Sequence, residues 1–148
     1  MTVVTTTVEI ARPPEAVFDA MTDTDVWLAI SPELVAVEPR GRITQGATGT
    51  MTRKQGRKTV TGTWEIVELT PGQGMAMRGR DPGSEMSERV ALEPLGDGRT
   101  RMTSTAEFRA TSGAMRVLLP LMTPWIRRSF RRNYVALKAH VEAQAPQA

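Results

Sequence analysis

The chain has no cysteine and a single histidine, His140. The first absence removes disulfides, thiolate nucleophiles and thiolate metal sites together, and points to a reducing compartment. The second leaves a zinc site, a haem site or a Ser-His-Asp triad without the imidazoles they use, so no metal and no cofactor are expected. Tyr134 is the one tyrosine. No apolar run approaches the ~18 residues of a membrane span, and the opening MTVVTTTVEI lacks a basic stretch followed by an apolar core. A cytoplasmic protein without stable membrane insertion is the expectation.

What is present is ordinary globular material. Hydrophobic residues make 40% and charged residues 24% of 148 positions, enough to build one core and too few residues for two. A single domain over 1–148 is expected, with 144–148 as a short polar tail. The net charge of +3 hides an uneven distribution. Residues 1–40 hold two basic residues against seven acidic ones, whereas 112–148 hold six basic residues against Glu142 alone. If the two ends pack together, the asymmetry is internal complementarity.

Residues 3–10 alternate, with Val4, Thr6, Val8 and Ile10 on one face, and predict a half-buried strand. Pro13-Pro14-Glu15 starts a short helix with Val17, Phe18, Ala20 and Met21 as its buried stripe. Thr22 to Asp25 offers capping oxygens to a second, which carries Trp27 and Ile30 and ends before Pro32. From about 34 to 109, six hairpin-length pieces (34–39, 47–55, 58–69, 73–80, 85–94 and 99–109) are separated by Gly, Pro and Asp turns and read as a meander. Gly96-Asp97-Gly98 is turn chemistry, because no P-loop context follows it. A long helix over about 112–143 closes the chain, its stripe formed by Met115, Leu119, Met122, Ile126, Phe130, Leu137 and Val141. Pro120 and Pro124 are expected to kink or interrupt its first part. The class is α+β.

This order resembles the helix-grip arrangement of the START-like (SRPBCC) superfamily, and several stretches are similar to its polyketide cyclase/dehydrase branch. The stretches are TTTVEIARPPEAVFDAMTDTDVW, EIVELTPGQGMAMRGR, LEPLGDGRTRMTSTAEF and LLPLMTPWIRRSFRRNYVALKAHVEA. The chain departs from the family after Trp27, where Ile30-Ser31-Pro32 stands in place of a frequent second Trp. The resemblance implies a curved seven-stranded antiparallel sheet wrapped around the C-terminal helix, two short helices after strand 1, and a cavity for apolar ligands. It does not by itself imply an enzyme, because most members bind or carry and only some catalyse.

Strand parity names the candidates for that cavity. Val90 and Leu92 define an inward face that Met86 and Glu88 share, and Met102, Ser104, Ala106 and Phe108 form the inward set of the next strand. Glu88 is then the one charge on that hairpin's inner face. Two readings are open: a carboxylate near a sheet end or paired with an arginine, or a ligand-orienting acid or base with a pKa raised by poor solvation. Tyr134 falls near the helix stripe, with its hydroxyl either in the cavity or in water. Glu88 and Tyr134 are the catalytic candidates. Met51 and Arg53 share a face, leaving open whether Arg53 turns inward to read an acidic or keto group. Met75, Met77 and Met102 suit a deformable pocket and are equally ordinary core fillers. Trp27, Trp64, Phe108 and Phe130 complete the ligand-binding set.

Arg127, Arg128, Arg131 and Arg132 form a basic helix face that reads as a solvated face or a partner for the acidic first helices, ahead of a nucleic-acid or membrane patch. His140 is assigned no role. The functional expectation is binding or carrying of an apolar, lipid- or polyketide-like small molecule, with a polyketide cyclase/dehydratase as the alternative. An interaction module is a third reading. The partners expected are the small molecule, no nucleic acid, and a monomer or homodimer.

Overall fold

The computed structural model describes residues 1–144, so 145–148 of the expected polar tail lie outside the described residues. Strand β1 (Thr2–Ile10) buries Val4, Thr6 and Ile10 on one face. Helix α1 (Pro14–Met21) buries Val17, Phe18, Ala20 and Met21, with Pro at its start where the missing N–H has no intrahelical partner to lose. Helix α2 (Thr24–Ile30) is capped by Asp23, whose carboxylate accepts from the backbone N–H of Asp25 at 2.9 Å.

The meander follows as β2 (Leu34–Glu38), β3 (Thr48–Gln55), β4 (Lys58–Thr70), β5 (Gly74–Asp81), β6 (Ser84–Gly96) and β7 (Arg99–Ala110). All pairings are antiparallel and the sheet order is β1-β7-β6-β5-β4-β3-β2, so β1 joins the far side of the meander through β7. Register shifts in β2, β4 and β6 mark bulges, which bend the strands and help curve the sheet. The helix-grip architecture is therefore present, with strand boundaries within a few residues of those expected.

Helix α3 (Gly113–Glu142) lies across the concave face, burying Leu119, Ile126, Leu137 and Val141. It runs without a break through Pro120 and Pro124, contrary to the expected interruption. Both prolines lie on the exposed side, where the carbonyls they orphan can face water. Thr123 also donates its hydroxyl to the Leu119 carbonyl at 3.1 Å. The C-terminal end of α3 is tied to β1 and the turn after it: Lys138 donates to the Glu9 carbonyl at 2.8 Å, and Glu142 accepts from the Ala11 N–H at 2.7 Å.

The acidic first helices do not pair with the arginines of α3. Asp19 pairs with Arg42 and Asp25 with Arg40 in the following loop. Of the four clustered arginines, only Arg132 has an acidic partner among the described residues, Glu33. No helix among the described residues is long and apolar enough to cross a membrane.

Candidate functional site

Between the concave sheet and α3 lies a cavity of about 260 Å³. Its wall includes Trp27 from α2, Met51 and Arg53 from β3, Met75 and Met77 from β5, Glu88 from β6, Met102 and Phe108 from β7, and Phe130 and Tyr134 from α3. Phe130 bridges two of the aromatics, edge-on to Phe108 at 5.7 Å and tilted against Tyr134 at 6.3 Å.

Trp64 is not in the wall, against the expectation that it would be. Its neighbour across the sheet on β3 is Gly49, and the indole lies over that strand instead of projecting from the sheet. A Cβ on Gly49 would collide with the indole ring. Trp64 donates its ring N–H to the Thr50 carbonyl at 3.2 Å and meets Trp27 edge-on at 5.5 Å, leaving it 2% exposed in the core beside the cavity.

Glu88 does point inward. Its cross-strand neighbours are Met77 and Ala106, with Met86 and Val90 along its own strand, so an apolar frame surrounds a carboxylate. Ser104, diagonal to it on β7, donates to Oε2 at 2.5 Å, and Tyr134 donates from α3 to the same oxygen. Burial raises the Glu88 pKa, and these two hydrogen bonds only partly oppose it. Burial, then the adjacent Glu88 charge and their shared hydrogen bond, push the Tyr134 phenol well above its ordinary value. Among the described residues Oε1 has no hydrogen-bond partner. With its proton, Glu88 can donate to a ligand carbonyl; without it, the carboxylate can accept from a ligand hydroxyl or remove an acidic proton.

A second polar group lies on the same wall. Arg53 turns inward and pairs with Asp81 at the end of β5, with Met51 Sδ 3.8 Å from its guanidinium. Burial lowers the Arg53 pKa and the charge of Glu33 opposes the shift. Glu33, in the turn before β2, accepts from Ser129 at 2.6 Å and Asn133 at 3.1 Å and pairs with Arg132. Burial raises its pKa, but these donors and the Arg132 charge outweigh it and hold the carboxylate below its ordinary value. The Asn133 Oδ1 atom is buried with no partner among the described residues.

Glu33, Asp81, Ser129 and Asn133 were not among the residues expected from sequence, and Ser104 was placed inward without a role. Part of the signal was there: Ser129 and Asn133 fill the helical stripe between Ile126 and Leu137, where two polar residues at core spacing require partners. Their partner, Glu33, is 96 residues away from Ser129 and could not be named from local pattern.

The chain matches, over residues 1–142, the family described as polyketide cyclase / dehydrase and lipid transport. No curated protein matches it at a significant level. Its structure is similar to that of a Thermus thermophilus protein, with TM-score 0.81 and 17% identity over 96% of this chain and 98% of the other. It is similar also to the Zhui aromatase/cyclase of Streptomyces sp. R1128, with TM-score 0.80 and 19% identity over 95% and 93% of the two chains. Ara h 8.0201 superposes with TM-score 0.71 and 17% identity, over 97% and 100%. At such identities these likenesses speak to the fold alone.

Proposed function

We propose that this chain, which belongs to the polyketide cyclase / dehydrase and lipid transport family, binds or carries an apolar small molecule in the cavity between sheet and α3. One observation carries the reading: a largely apolar cavity rich in methionines and aromatics, with Glu88 and Tyr134 in its wall, bonded to each other and Glu88 to Ser104 behind it, and with an unpartnered Glu88 oxygen. Apolar walls with a few convergent polar groups suit a lipid- or polyketide-like ligand bearing a carbonyl or hydroxyl. Thioether side chains adapt to flat or flexible skeletons.

A second reading, a polyketide cyclase or dehydratase, is favoured by the same cluster. A carboxyl whose pKa burial raises, beside a phenol, can in its protonated form polarise a ketone, and in its ionised form it can remove a proton between two carbonyls. In this reading Glu88 is the acid or base and Tyr134 holds it.

The test pairs identification by mass spectrometry of what co-purifies in the cavity with calorimetry and product analysis on Glu88→Gln and Tyr134→Phe. For a carrier, each change alters affinity by roughly tenfold or less and no product forms. For a cyclase, turnover falls by about 10²-fold or more while the ligand still binds. Wild-type affinity and turnover in both variants would refute the site.

A further inference from the structure

Four of the five exposed large apolar side chains of α3 gather in its first half, away from the end anchored to β1. Leu121 is 74% exposed, Val117 68%, Trp125 48% and Leu118 47%. Spaced i, i+1, i+4 and i+8, they lie on the outward arc of the helix, opposite the buried Leu119 and Ile126. Elsewhere, exposed Val3, Val35 and Val67 stand singly on three different strands, and Val135 stands alone in the second half of α3.

This arc borders the mouth of the cavity. Lys54, Gln55 and Trp125 are exposed yet belong to the cavity wall, so the cavity opens between the β3–β4 hairpin and α3. A second groove of about 270 Å³ runs between Gln55, Thr59 and Thr61 of that hairpin and Met115, Leu118 and Met122 of the helix.

Two basic segments lie to either side of this arc, the arginines of α3 on its flank away from the hairpin and the hairpin itself on the other. Helix α3 supplies Arg116, Arg127, Arg128 and Arg131, and it carries no Asp or Glu before Glu142. The hairpin supplies Lys54, Arg57 and Lys58. All seven are exposed and none has an ion-pair partner among the described residues. Of the acids on the cavity wall, Glu33 and Asp81 are engaged by Arg132 and Arg53, and Glu88 by Ser104 and Tyr134.

We infer that this face docks on an anionic lipid bilayer, the apolar arc of α3 entering the acyl boundary while the two basic segments meet the headgroups. Clustered cations around an exposed apolar surface with a tryptophan match the chemistry of an anionic membrane interface. A nucleic-acid backbone would use the cations and leave Val117, Leu118 and Leu121 without a role. A second copy seated on the same face would bring two unpaired cationic sets together, which repel. Docking of this kind is peripheral and independent of what the cavity holds, so it stands or falls apart from the ligand.

The experiment is vesicle flotation of the full chain with phosphatidylcholine alone and with added phosphatidylglycerol, at low and high salt. Binding is expected to require phosphatidylglycerol and to weaken with salt. The double variant Val117→Glu, Leu121→Glu should weaken it about tenfold or more, and Arg127→Gln, Arg128→Gln, Arg131→Gln together by about 10²-fold. Both variants change exposed positions and should melt like the wild type. A readout that needs no variant is quenching by brominated lipid, which should reach Trp125 and spare Trp64, 2% exposed in the core. Three results would overturn the inference. One is no association with phosphatidylglycerol vesicles. Another is retention on nucleic acid with vesicle binding indifferent to Val117→Glu, Leu121→Glu. The third is self-association, without vesicle binding, that this double variant abolishes.

Discussion

Glu88→Gln separates the two physical terms acting on the carboxylate at the centre of the cavity. In the unfolded chain the group has the ordinary value of 4.5, and burial raises it in the folded protein. Between those two values the folded state holds the proton that the unfolded state has lost. Stability therefore falls as pH rises across that window, and levels off above the folded pKa. Glutamine keeps the shape and the acceptor for Ser104 and Tyr134 but cannot ionise. Above the window the exchange weakens two charge-assisted hydrogen bonds, a loss of about 1 kcal/mol each, and removes the burial of a charge in an apolar frame, a gain of several kcal/mol. Because burial is the leading cause of the shift, the gain wins above the folded pKa, by an amount on the order of 1 kcal/mol. For a chain of this size that corresponds to a rise in Tm of roughly 3 °C or more. The assay is thermal unfolding by circular dichroism from pH 4 to pH 9 on both proteins. The wild type should lose stability with rising pH relative to the variant, and the two should converge at the acid end. A variant that melts lower at neutral pH, with an unchanged pH slope, would refute the idea that burial governs this carboxylate.

Glu33 should show the opposite sign. Its folded pKa is held below the ordinary value, so its contribution is present above that value and lost as pH falls through the folded one. Glu33→Gln should lower stability by about 1–2 kcal/mol at neutral pH and flatten the acid limb of the Tm profile; an acid limb identical to wild type would show that the ties to Ser129, Asn133 and Arg132 carry no weight. Leu137 is 1% exposed in the C-terminal part of the α3 stripe, and Leu137→Asp buries an unpaired charge there. It should cost about 4 kcal/mol or more and abolish cooperative unfolding at ordinary temperatures; a melt within a degree or two of wild type would sink this placement of the helix.

Much of this protein follows from its sequence through short-range rules. Alternation in 3–10, glycine and proline punctuation from 34 to 109, and a stripe at helical spacing from Met115 to Val141 are each decided by a few neighbouring residues. Those rules located ten strands and helices, and strand parity turned Glu88 inward, because a period of two leaves one face for Val90, Glu88 and Met86. Tertiary structure decided the rest, since it depends on residues distant in the chain. Trp64 has inward parity and yet leaves the cavity wall, because Gly49 on the neighbouring strand clears space for its ring. Pro120 and Pro124 stay inside a continuous helix because they face outward. Arg53 found Asp81, Arg132 found Glu33, and Tyr134 and Ser104 met on one oxygen of Glu88. Local periodicity states which face a side chain takes. Which charge or hydroxyl waits there depends on how the sheet curves and where α3 crosses it, and only the assembled fold sets that.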